Sequence, residues 1–253
     1  MNVIRLFPTK WARRLVTDVS ARQIARFLGA AMVTTWALLS ALVPSASAQP
    51  CPDVEVVFAR GTAEPPGVGG VGQAFVDSLR SQVGGRSVGV YAVNYPASSD
   101  FGAGIEFART VVDGIRDAGA HVQSMAANCP NTRMVLGGYS QGAVVAGFVT
   151  SAVVPEGVPA AYVPYVPNPM QPEVANHVAA VALLGKPSDE FMRQYGAPPI
   201  AIGPLYAAKT IELCAPGDTI CAGGFGGGPT IAHALYGVNG MANEAAAFAA
   251  SRL

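Results

Sequence analysis

The sequence predicts an α/β fold, a three-layer sandwich in which helices cover both faces of a parallel sheet. Over residues 49–253, short apolar runs rich in β-branched residues alternate with longer stretches of helical periodicity. The runs are nearly continuous in apolar character, as strands are when both their faces are buried. No internal repeat or linker divides this stretch, so it reads as one domain.

The first strand is Val54–Ala59, followed by a helix over Val71–Val83. The second strand, Ser87–Val93, is bounded by Gly84-Gly85 and Asn94, and the longest helical pattern follows over Ile105–Met125. Thr132–Gly138 is the third strand and leads into a helix over Ala143–Val154. Val178–Leu184 and Lys209–Leu213 are the fourth and fifth strands, and the Ala-rich tail Ala242–Arg252 is the last helix. Right-handed crossovers between parallel strands then wind the helices onto both faces.

Two segments break the alternation. Around Gly157–Pro172, Pro155, Pro159, Pro164, Pro167, Pro169 and Pro172 interleave with Tyr162, Val163, Tyr165 and Val166, which excludes regular helix or inner strand and predicts an ordered surface loop. Gly217–Pro229 carries six glycines and predicts a flexible loop.

Composition narrows the function. Of 253 residues, 51% are hydrophobic and 13% charged, which excludes a disordered chain or a coiled coil. Basic and acidic residues balance at 16 each, but residues 1–48 hold six basic side chains and one acidic one. Subtraction leaves 10 against 15, a net charge of −5 for the remainder, which lacks the basic footprint of a nucleic-acid binder. After that basic stretch come the uncharged run Phe27–Val43 and the small-residue pattern Ala46-x-Ala48, so residues 1–48 read as an export signal. The run approaches the roughly 20 residues that span a bilayer, and the Ala-x-Ala pattern favours cleavage over retention as an anchor. The mature protein is expected outside the cell, with retention at the cell wall left open, as a monomer without a membrane span.

The remaining 205 residues contain Cys51, Cys129, Cys214 and Cys221. In an exported chain an even number of cysteines favours disulfides over a metal site. The short Cys214–Cys221 loop favours local closure, which leaves Cys51 to pair with Cys129.

Gly138-Tyr139-Ser140-Gln141-Gly142 stands between a strand and a helix, the context of the G-x-S-x-G nucleophile turn. Glycines two before and two after the serine are needed because a Cβ at either place would collide with neighbouring backbone. A serine hydroxyl needs a base, and the base needs a carboxylate to hold its tautomer. Of three histidines, His121 lies in a helical stretch and His177 precedes a strand; His233, downstream of the fifth strand, fits the order nucleophile, acid, histidine. Asp218 lies past a strand end inside the Cys214–Cys221 loop, whereas Asp189 and Glu190 read as helix-start acids. The oxyanion needs donors aimed at it. The backbone N–H of Gln141 is one; Thr62 in the loop Arg60-Gly61-Thr62-Ala63-Glu64 is the other candidate, unless that loop is an ordinary turn with Glu64 capping the next helix.

Phe58-Ala59-Arg60-Gly61-Thr62-Ala63-Glu64, Gly138-Tyr139-Ser140-Gln141-Gly142, the eight-residue Cys214–Cys221 loop enclosing Asp218, and the late His233 together resemble the cutinase family, particularly its exported actinobacterial members. The resemblance spans nearly all of residues 51–253. It implies an α/β-hydrolase fold with a central five-stranded parallel sheet, Ser140 as nucleophile, His233 as base oriented by Asp218, and Thr62 with Gln141 as the oxyanion hole. It also implies Cys51–Cys129 and Cys214–Cys221 bridges, and neither cofactor nor metal. Two departures concern substrate range: Thr62 replaces a serine common in fungal members, and the glycine-rich Ala222–Pro229 lengthens the path to His233, which points to a mobile histidine loop.

The expected reaction is hydrolysis of short- to medium-chain fatty acyl esters, because no long lid helices are present to cover the site. Tyr162, Val163, Tyr165, Val166 and Met170, with Leu235, Tyr236 and Val238 beside the histidine, are candidate walls for the acyl chain. An acyltransferase or phospholipase using the same triad on cell-envelope lipids is the alternative, and a non-catalytic surface protein is disfavoured because every triad position is filled.

Overall fold

A computed structural model describes residues 50–158, 160, 163–223 and 228–253. The segment read as an export signal, Tyr162 of the proline-rich segment, and Gly224, Gly226 and Gly227 of the glycine-rich loop lie outside the described residues. Five parallel strands form one sheet in the order β2-β1-β3-β4-β5. They are β1 Val54–Ala59, β2 Val88–Ala92, β3 Arg133–Tyr139, β4 Val178–Leu184 and β5 Thr210–Leu213, matching the five predicted strands to within one residue at each end. The helices of at least one turn are α1 Gly69–Gln82, α2 Ile105–Asn128, α3 Gln141–Val149, α4 Asp189–Gln194, α5 Pro204–Ala207, α6 Thr219–Ala222, α7 Ile231–Ala234 and α8 Met241–Ala250.

The two-residue period of the strands splits the core into two layers. Val54, Val56 and Phe58 of β1 face α1 and α8, where they meet Phe75, Leu79, Ala245 and Ala249. Val57 and Ala59 face the opposite layer, where Ala118 and Val122 of α2 pack with Val145 and Val149 of α3. Both central strands β3 and β4 are buried nearly throughout, as their continuous apolar runs require.

The chain leaves β1 for β2 on one side and reaches β3 on the other, so β1 and β3 flank the point where strand order reverses. Ligands of open α/β sheets bind at the carboxyl ends of strands beside such a switch point. The loops leaving β1 and β3 there carry Thr62 and Ser140.

Two disulfides close as predicted. Cys51–Cys129 ties the entry of β1 to the end of α2, and Cys214–Cys221 closes the loop after β5. No described helix is long and apolar enough to cross a membrane.

Burial pushes the Tyr206 hydroxyl up to about 12 and raises Tyr95 further. Tyrosines whose folded ionisation lies above that of the unfolded chain support the fold below pH 10 and cease to do so as pH climbs toward 12 and beyond. The thermal midpoint is therefore expected to fall between pH 10 and 12, and less so in Tyr206→Phe; calorimetry across that range checks it.

Candidate active site

Ser140 follows the last residue of β3 with φ 53° and ψ −117°, in the left-handed region. Holding a non-glycine residue there costs about 1–3 kcal/mol, which the surrounding structure must offset. The backbone crowding that enforces the turn is explicit. A Cβ on Gly138 would lie 2.1 Å from the Gly142 carbonyl oxygen, and one on Gly142 would lie 1.9 Å from that of Ala59. The turn is pinned from below by the Ser140 N–H, which donates to the Leu184 carbonyl at 2.9 Å. Immediately after it, α3 begins at Gln141, so the helix directs its free N–H groups and positive end toward the serine.

His233 sits on the single turn α7, its Nε2 2.9 Å from Ser140 Oγ and its Nδ1 2.8 Å from Asp218 Oδ2. Ser140 and His233 retain only 9% and 8% exposure and Asp218 none, so the pair of contacts is shielded from bulk water. Asp218 Oδ1 accepts from the Ile220 N–H at 2.9 Å, capping α6, which leaves Oδ2 for the histidine. The loops bearing the two residues are laced together: Thr230 Oγ1 donates to the Gly217 carbonyl and Thr219 Oγ1 to that of Gly228, each at 2.9 Å. These bonds hold His233 against Ser140.

Two tyrosines support the group from behind. The Tyr139 hydroxyl donates to the His233 carbonyl, and its ring lies 5.3 Å from the imidazole. Burial, then the nearby Glu64 and Asp218 charges, push the Tyr139 hydroxyl up to about 12, so it remains a donor. Tyr236 is fully buried; its hydroxyl accepts from the Ala215 N–H and donates to Asp218 Oδ2, both at 2.8 Å. Burial first, then its bond to Asp218, raise the Tyr236 hydroxyl as well.

Glu64 shapes the loop after β1. Its carboxylate accepts from the Gly61 N–H at 2.6 Å and from the Gly70 N–H in the first turn of α1 at 2.7 Å. One carboxylate thus ties the start of α1 to the base of the turn that carries Thr62. The buried Arg60 guanidinium closes the loop by donating to the carbonyls of Glu64 and Tyr95. Thr62, Ser140, Gln141 and His233 line one cavity of about 1100 Å³. The Gln141 side chain is held by Nε2 donating to the Ser98 carbonyl at 3.0 Å.

A family model described as Cutinase matches residues 50–253. The chain belongs to the cutinase family. That family consists of serine ester hydrolases. A Mycobacterium tuberculosis protein named "Probable carboxylesterase Culp7" is 68% identical over 173 residues, covering 68% of this chain and 89% of that protein. Carboxylesterase Culp1 of the same organism is 51% identical over 239 residues, covering 93% and 98%. Among solved structures, a Trichoderma reesei cutinase in complex with a C11Y4 phosphonate inhibitor superposes with a TM-score of 0.55 at 34% identity, covering 79% of this chain and 75% of that one.

Within this cutinase fold the remaining histidines and acids stand apart from Ser140, as their sequence context suggested. His121 pairs with Glu55 at 2.6 Å and stacks on Tyr91, and His177 ends a 3₁₀ turn before β4. Asp189 and Glu190 occupy the first turn of α4, whose cap is the Ser188 hydroxyl. Among the described residues no cluster of three metal-ligating side chains exists.

One expectation is overturned. Val163, Leu235, Tyr236 and Val238 do not wall the cavity: Tyr236 lies behind Asp218, while Val163, Leu235 and Val238 are 41%, 40% and 79% exposed. Tyr236 lies in the turn that follows α7, where its side chain is carried inward, which apolar composition alone could not reveal. Tyr236→Phe is expected to lower kcat on the order of tenfold with KM unchanged, the loss that follows from removing one hydrogen bond to a charged group. Steady-state kinetics on a soluble ester reads this split directly.

Proposed function

We propose that the protein is an exported carboxylic-ester hydrolase that works through an acyl-enzyme on Ser140. The observation that carries the reading is the chain of contacts from Asp218 Oδ2 through both nitrogens of His233 to Ser140 Oγ. Ser140 Oγ attacks the ester carbonyl carbon while His233 Nε2 takes the hydroxyl proton. Asp218 holds the Nδ1–H tautomer and stabilises the imidazolium. The N–H of Gln141 and the N–H and hydroxyl of Thr62 are the donors for the tetrahedral oxyanion. Collapse of the intermediate expels the alcohol, which leaves with the proton from His233. A water then attacks the acyl-enzyme, giving up its proton to His233, which returns it to Ser140 Oγ as the Oγ–acyl bond breaks and the carboxylic acid departs.

The substrates are fatty acyl esters, with short and medium chains filling the end of the cavity next to Ser140. The two disulfides suit an oxidising compartment and support residues 1–48 as a cleaved export signal, with the mature protein working extracellularly as a monomer. The cycle as proposed uses only these side chains and water, with neither cofactor nor metal.

Incubation with a p-nitrophenyl alkylphosphonate tests the nucleophile. Oγ displaces p-nitrophenolate from phosphorus, and peptide mapping by mass spectrometry is expected to find one phosphonyl adduct, on Ser140. An unmodified protein, or an adduct on another serine, overturns the assignment.

A further inference from the structure

The cavity does not end at Ser140. Ile105, Ala108, Val112, Ile115 and Gly119 of α2 all line it. Their three- and four-residue spacing makes one apolar stripe along the helix, bordered within the cavity by Arg109, Asp113 and Gln123. At 1.5 Å per residue the stripe runs about 21 Å. This is not the face that α2 packs on the sheet, which is carried by Gly114, Ala118 and Val122. Core packing reaches the stripe at Ile115 and leaves its two ends open: Ile105 is 38% exposed, and a Cβ on Gly119 would meet nothing within 4 Å. Val153 and Val154, just before the proline-rich segment, and Val158, Val166 and Met170 within it form the facing wall. Arg116 spans the two walls, its guanidinium donating to the Tyr165 carbonyl. The result is a half-open, largely apolar cleft of about 1100 Å³, larger than the usual range of about 300–1,000 Å³ for small-molecule sites.

We infer that this stretch is a channel for the hydrocarbon tail of a long-chain acyl ester, an inference that rests on the ester-hydrolase reading above and extends its substrates beyond medium chains. The orientation follows from the proton transfer. The leaving oxygen must face His233 Nε2, so the alcohol takes the histidine wall, where Gly228 and Pro229 line the cavity. The acyl chain takes the remaining length along α2. A membrane lipid tail reaches about 15 Å, half of the roughly 30 Å hydrocarbon core of a bilayer. The stripe exceeds that reach, so a tail of sixteen or eighteen carbons has apolar wall beside it along its length. Each added methylene that enters such a channel favours the transition state by up to roughly fourfold, provided the wall continues beside it.

Plugs at two depths test the channel. Val112→Trp and Gly119→Trp place an indole about 10 Å and about 21 Å along the helix from Ile105. The readout is kcat/KM on p-nitrophenyl butyrate, octanoate, palmitate and stearate, all in the same detergent. The wild-type protein is expected to hold its kcat/KM from octanoate through stearate within tenfold. Gly119→Trp is expected to lower the stearate-to-butyrate ratio at least tenfold, and Val112→Trp to lower the palmitate-to-butyrate ratio as well. Gly119 has open space in front of it, so that variant decides the matter even where Val112→Trp fails to fold. A wild-type protein that hydrolyses butyrate but collapses beyond octanoate, or plugs that leave every ratio unchanged, overturns the channel and leaves the ester-hydrolase reading standing. A wild-type protein that fails on butyrate and on every longer ester overturns the reading beneath it.

Discussion

Ser140→Ala is expected to lower ester hydrolysis by about four to six orders of magnitude while leaving the fold intact. Alanine keeps the Cβ and must adopt the same φ of 53°, so the backbone strain at the turn is unchanged. The only side-chain partner the hydroxyl loses is His233 Nε2, at 2.9 Å. Stability should therefore change by less than about 1 kcal/mol, the range of a single neutral hydrogen bond. A small residual rate above the uncatalysed reaction is expected, since the proposed oxyanion donors and the cavity survive the substitution. Turnover within a hundredfold of wild type would sink the serine mechanism; a collapsed thermal midpoint would mean that the hydroxyl also holds the turn together. Both are read on one sample, by p-nitrophenyl butyrate hydrolysis and by calorimetry.

Much of this site is visible in the residue order because its parts are local. The Ser140 turn is a contest between two glycines and the backbone around them, so a five-residue pattern between strand and helix suffices to place it. Asp218 is announced by the two cysteines that enclose it. The strands are legible because burial on both faces leaves an unbroken apolar run. Helix ends are less so. The pattern over Ala143–Val154 runs past the end of α3 at Val149, where the Thr150 hydroxyl bonds back to the Gly147 carbonyl and the Thr150 carbonyl accepts from Gly203. That stop comes from a segment some fifty residues away and has no local signal. One-turn helices such as α6 and α7 are too short to show a period. The supporting role of Tyr236 needs the folded loop to be seen, and the open stripe on α2 has the same composition as the packed one beside it.

Gly142→Ala is expected to be the most destructive single-methyl change in the molecule. The new Cβ would lie 1.9 Å from the Ala59 carbonyl oxygen, 2.4 Å from its carbonyl carbon and 2.5 Å from the Arg60 carbonyl oxygen. All three are backbone atoms at the end of β1, so no rotamer change relieves the contact. Either α3 lifts away from the sheet, or the end of β1 shifts in its ladder with β3, where Ala59 pairs with Gly138. The first moves Ser140 and the Gln141 N–H; the second moves the loop carrying Thr62. A loss of about 4 kcal/mol or more in a denaturant titration is expected. Gly119→Ala is the matched control, because it adds the same methyl to a helix facing open space and should stabilise by about 0.5–1 kcal/mol. If Gly142→Ala unfolds at the same denaturant concentration as the control and hydrolyses esters normally, the close approach of α3 to β1 is wrong. If it folds but has lost activity, the approach is correct and the lost geometry is local: a bare Cα at Gly142 lets the helix start come close to β1, as the proposed pairing of the Gln141 N–H with Thr62 at the oxyanion requires.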